Sequence, residues 1–103
     1  MILYNVTVKV NNVVHDEWCR WMLTEHIPAV MATKLFNEYK FTRLLGIDEE
    51  DGVTYAIQYL APSMEAYQVY RHHYAPRLQA EHQERYQDQC LAFRTLMRVV
   101  DQG

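Results

Sequence analysis

Five histidines and two cysteines are the residues with the widest chemical reach in this chain. His15 and Cys19 lie four apart, and Met22 and His26 extend the same helical stripe, so a metal site is conceivable. His15 and His26 would stand roughly 16 Å apart along a helix at 1.5 Å per residue, and no third ligand of suitable spacing exists. The stripe therefore reads as packing, and no metal is expected. His72 and His73 are adjacent, point about 100° apart on a helix, and read as surface or helix-end residues. His82 sits in a polar stretch and carries no signal.

His26 differs in one respect: it precedes Ile27-Pro28, a forced break, at the end of an amphipathic segment. An imidazole there can cap the last carbonyls of a helix and respond to its dipole, or lean over the edge of a sheet into a cleft. Capping is favoured, because the ionisable partner that a general base needs is not identifiable. Tyr67, Tyr70 and Tyr74 form an aromatic stripe, which with Trp18 and Trp21 is assigned to core or interface rather than to a cofactor box. Dinucleotide, P-loop, nucleophile-elbow and zinc-protease signatures are all absent.

The elements that must position these residues follow from periodicity. "ILYNVTVKV" puts Ile2, Tyr4, Val6, Val8 and Val10 on one face and Leu3, Asn5, Thr7 and Lys9 on the other, as a strand does. Asn11-Asn12 turns the chain, and Val14, Trp18, Trp21 and Met22 mark a first helix with Asp16 and Glu17 in its first turn. Pro28 lacks a backbone donor and disfavours helical geometry at Ile27, so the helix should stop near His26 and restart at an angle over Ala29–Ala32. "FNEYKFTRLLGID" and "VTYAIQYLA" are strands joined by "EEDG", whose Asp51-Gly52 predicts a hairpin. Ser63 is the expected N-cap of a second helix bearing Met64, Tyr67, Tyr70, Tyr74 and Leu78, kinked by Pro76. "CLAFRTLMRVV" is the last strand.

The order βαββαβ assigns residues 1–103 to one α+β domain of ferredoxin-like topology, a four-stranded antiparallel sheet with two helices on one face. The second face, with Leu3, Asn5, Thr7, Lys9, Thr54, Ala56, Gln58 and Leu60, is neither dry core nor fully charged surface, so something must partly cover it. "YNVTV", "EWCRWM" followed by "HIP", "TYAIQYL" and "LAFRTL", in this order, resemble a small uncharacterised bacterial domain-of-unknown-function family of the dimeric α/β-barrel superfamily. That resemblance implies a homodimer in which two sheets face each other and enclose a cleft. Several such families carry a His-Ile/Leu-Pro turn after the first helix, and some members are cofactor-independent oxygenases or isomerases.

Composition narrows the partners. Ten Lys and Arg against 13 Asp and Glu leave a formal charge of −3, which disfavours duplex nucleic acid and anionic membranes. The N-terminus lacks the pattern of a signal peptide and no apolar run spans a bilayer, so a cytoplasmic location is expected. Two cysteines without a CxxC form no disulfide framework and read as buried thiols. The leading expectation is a homodimeric barrel that binds a small organic ligand without a cofactor, at His26, Asn5, Thr7, Thr42, Gln58 and Arg94. Arg94 would hold a carboxylate if its strand turns it inward; a slip of one residue would exchange it for Thr95. The alternatives are a cofactor-independent oxygenase or isomerase, an RNA-binding module of the same topology, an amino-acid-sensing domain, and a purely structural dimer. The RNA reading lacks the basic-Gly-aromatic signature on the third strand, and the sensing reading lacks a Gly-rich turn after the first.

Overall fold

The computed structural model describes all 103 residues. Its elements are β1 (Ile2–Val10), α1 (His15–Trp21), a π-helical turn (Met22–His26), α2 (Ile27–Ala32), β2 (Glu38–Arg43), β3 (Val53–Ala61), α3 (Met64–His73), α4 (Ala75–Arg85) and β4 (Cys90–Arg98). The strands form one antiparallel sheet in the order β2-β3-β1-β4, the ferredoxin-like arrangement, with the helices on one face. No helix is long and apolar enough to cross a membrane.

The alternation of β1 sets the layering. Ile2, Tyr4, Val8 and Val10 are buried beneath the helices together with Trp18, Ile27, Val30, Ile57 and Leu78. Each fully buried large apolar side chain contributes about 1.5–3 kcal/mol by its removal from water. Tyr4, Phe36, Tyr59, Tyr67 and Tyr70 form an aromatic cluster at one end of this core, so the tyrosine stripe of α3 is packing, as its spacing implied.

Two local expectations are corrected. Pro28 does not break the first helix: His26 and Ile27 both keep right-handed helical dihedrals, and the chain runs from α1 into α2 through the π-helical turn. There the Ile27 N–H reaches back five residues to the Met22 carbonyl, and the widened turn removes the clash that the proline ring would make with the carbonyl one turn before it. The Asp51-Gly52 hairpin is also not tight, since β2 ends at Arg43 and β3 starts at Val53. The intervening loop is held by Arg43, which donates twice to Glu49 at 2.6 and 3.1 Å, and by Asn12, whose amide donates to the Glu49 and Glu50 carbonyls. Glycine is required at 52 for another reason: a Cβ there would stand 2.5 Å from the Val10 carbonyl oxygen.

The second helix follows its sequence closely. Ser63 Oγ accepts the Ala66 N–H at 3.1 Å, and the helix breaks at Tyr74, where φ is −124°, before Pro76 opens α4. Glu17 of α1 ties α4 down, accepting from Arg85 at 2.5 Å and from the Tyr86 hydroxyl at 2.7 Å. These bonds, that of Tyr86 first, hold the Glu17 carboxyl below its usual range.

Candidate functional site

The sheet register divides the six expected ligand contacts. Arg94 pairs with Val6 and lies on the helix-covered face, whereas Thr95 pairs with Asn5 on the open face. The one-residue exchange allowed by the sequence is therefore the real arrangement. Asn5, Gln58 and Thr42 lie on the open face, in adjacent rows with Lys40 and Thr7. None of Asn5, Thr7, Thr42 and Gln58 lines a pocket of the single chain. Asn5 donates to Thr7 Oγ1 at 3.0 Å and leaves its own Oδ1 buried without a partner, while the Thr42 hydroxyl is taken by the Ala56 carbonyl at 2.8 Å.

His26 and Arg94 come together on the other side, between sheet and helices. There a small inner chamber of about 30 Å³, the room of one water molecule, is lined by both of them and by Tyr4, Tyr59, Tyr70 and His82 among others. Gln79, His82, Ala92 and Arg94 also line a second, open groove of about 790 Å³ beside α4 and β4, so chamber and groove adjoin at these four residues. A pocket between the helices and the sheet, rather than a cleft over the open face, is what the single chain offers.

His26 does not cap a helix. Its ring stacks on Trp21 at 5.1 Å and meets the His82 ring edge-on at 5.9 Å, and its Nδ1 is buried with no hydrogen-bond partner. The π-helical turn explains this position: the extra residue in the turn carries His26 toward α4 instead of leaving it beside frayed carbonyls. Burial, then His82, then Arg94 push the His26 imidazole down to about 4. His82 accepts the Trp18 indole N–H at Nε2 over 3.0 Å, and burial followed by the Arg94 charge pushes it down to about 4 as well. Both rings are neutral at pH 7. Burial likewise raises the Tyr4, Tyr59 and Tyr70 phenols, which stay protonated.

His82 is the residue that sequence reasoning missed. A signal was present: it stands four residues after buried Leu78 and four before buried Tyr86, on the inward stripe of a helix that is otherwise mostly polar. His72 and His73, in contrast, are exposed at the end of α3.

His15 and Cys19 acquire a neighbour from another element. His15 Nε2 is 2.6 Å from the Tyr55 hydroxyl, and Cys19 Sγ lies 3.5 Å from that nitrogen and 3.4 Å from that oxygen. The three form a closed hydrogen-bonded set that ties α1 to β3, and no group of three or more His, Cys, Asp or Glu side chains is placed to hold a metal. Cys19 and Cys90 are free thiols, each only partly buried.

Comparison with solved structures gives the same fold throughout. A dimeric ferredoxin-like protein from an uncultured marine organism is similar with a TM-score of 0.70 at 10% identity, over 100% of this chain and 98% of the other. A variant of MhuD with two manganese protoporphyrin IX bound per active site has a TM-score of 0.68 at 18% identity, covering 100% and 99%. A monooxygenase from the gene ActVA-Orf6 of Streptomyces coelicolor, in complex with nanaomycin D, has a TM-score of 0.58 at 16% identity, covering 99% and 91%. Among curated proteins nothing matches the chain by sequence. The family model described as a domain of unknown function, DUF4286, matches residues 1–100, and the chain belongs to that family.

Proposed function

We propose that this chain is a homodimeric binding protein that takes a small organic molecule into the pocket between its helices and its sheet. The observation that carries this reading is that His26, whose buried Nδ1 has no hydrogen-bond partner, lines a chamber whose rim holds Arg94. A buried polar atom without a partner costs about 1–3 kcal/mol, and a ligand or water that bonds it recovers that cost. Two of the similar structures hold a ligand, a manganese porphyrin in one and nanaomycin D in the other, which supports a binding role for this fold. Binding is favoured over proton-abstraction chemistry, because an imidazole held near 4 is a weak general base at neutral pH.

The open face supplies the assembly. Leu91, Phe93 and Met97 stand on it 68%, 59% and 38% exposed, opposite Lys9, Thr7 and Leu3 of β1. An apolar stripe of that kind on a sheet face is favoured against a second copy of itself, and several similar structures are described as dimeric ferredoxin-like proteins. The test of the pocket is a fragment screen by NMR against the wild type and Ala92→Trp, which fills the passage between chamber and groove. Hits that are lost in a folded Ala92→Trp variant support the reading; hits that persist there place the ligand elsewhere.

A further inference from the structure

We infer that the ligand class of this pocket is a small organic anion, a carboxylate whose charged oxygens enter the chamber between His26, His82 and Arg94. The inference rests on the pocket proposed above and names what fills it. The chamber lining contains one guanidinium, two imidazoles, three tyrosines and a glutamine among apolar residues, and no Asp or Glu. Arg94 makes no ion pair with any side chain of the protein. Asp51 and Asp88 line the outer groove that Arg94 also borders and not the chamber, so exposed Arg94 is free to pair with an anion that enters the chamber.

Geometry assigns the parts. The chamber has room for one water-sized group, so it admits a carboxylate end and not a whole ring, while the body lies in the open groove against its apolar residues Ala80, Cys90, Leu91 and Ala92, with Lys9, Asp51 and Asp88 elsewhere in the same mostly polar groove. His26 Nδ1 then donates to an oxygen that it lacks in the free protein. His82 can offer only Nδ1, because its Nε2 is occupied by the Trp18 N–H.

The charge of the anion also acts on the two rings. The titratable and charged groups around them are Arg94 from β4, Tyr4 from β1, Tyr59 from β3, Tyr70 from α3 and, on the side away from the chamber, Tyr86 with Arg85 and Glu17 of α1, which are bonded to one another; the chamber lining itself holds no acid. Burial and the Arg94 charge keep both imidazoles neutral in the free protein. A bound carboxylate offsets the Arg94 charge and favours the imidazolium of His26, whereas His82 stays neutral because its Nε2 accepts from Trp18, so binding takes up a proton at His26 and tightens as the pH falls below 7.

The experiment is calorimetric titration of benzoate and of its neutral counterpart benzamide at pH 7, in two buffers of different ionisation enthalpy, with wild type, Arg94→Gln and Ala92→Trp. We expect benzoate to bind about tenfold or more tightly than benzamide, with net proton uptake, and Arg94→Gln to remove the preference. Thermal melts of the variants confirm that they are folded. Benzamide binding as tightly as benzoate and lost in Ala92→Trp would overturn the anion while leaving the pocket intact. Failure of both probes to bind, or equal binding of both to Ala92→Trp, would remove the pocket reading together with the inference.

Discussion

The indole N–H of Trp18, a fully buried residue, donates to Nε2 of His82 across 3.0 Å and joins α1 to α4. That one bond sets the tautomer of His82, leaving its proton on Nδ1, and adds to burial and the Arg94 charge in opposing protonation, because Nε2 is already in use. Trp18→Phe should therefore raise the His82 pKa toward the ordinary imidazole value of 6.5 and destabilise the fold by about 2 kcal/mol through the lost bond and packing. Imidazole NMR titration and a urea melt check the two parts separately.

Stability should fall on acidification between about pH 6.5 and 4. His26 and His82 have folded pKa values depressed to about 4, so in that window the unfolded chain binds protons that the folded chain does not. Above 6.5 neither state is protonated and the effect is absent. Each shift amounts to at most about 3 kcal/mol, reduced because both rings are only partly buried. His82→Gln should flatten the Tm-against-pH curve in this window; the further fall at lower pH, where Glu17 and Glu49 lose their favourable bonds, should persist.

Pro28→Ala should leave stability unchanged or raise it by up to about 1 kcal/mol, because Pro28 is exposed within a continuous helical path and alanine restores a donor. Its larger effect should be on geometry. Without the proline the π-helical turn can relax to an α-helical one, which rotates His26 away from His82, and the His26 imidazole should shift toward its ordinary pKa. A melt and a histidine titration of the variant decide this.

Sedimentation at micromolar concentration should give about twice the chain mass for the wild type. Phe93→Lys places a charge in the exposed stripe of β4 and should give a folded monomer. A wild-type monomer would contradict the proposed assembly.

The fold was legible in the sequence wherever one face of an element is buried and the other is wet. β1 alternates cleanly, and Ser63 is the N-cap that its position announced. β4 was not legible in its facing, because Leu91, Phe93 and Met97 make its open face as apolar as its covered one, so alternation could not orient Arg94. The π-helical turn was hidden for a different reason. The rule for proline at Ile27-Pro28 describes α-helical hydrogen bonding, and a turn widened by one residue escapes it. His26 was thereby read as a helix end, and the polar residues around His82 outweighed the four-residue spacing from Leu78 and Tyr86 that marks it as inward-facing.

The proposed ligand site is one location, the pocket of His26, His82 and Arg94 beneath the helices. Long-range proton–nitrogen spectra of the imidazoles, recorded during a benzoate titration at pH 6.5, test it most directly. The account predicts that the His26 and His82 signals move together and saturate at one equivalent while exposed His72 and His73 stay in place. Saturable binding that leaves His26 and His82 unmoved would contradict it.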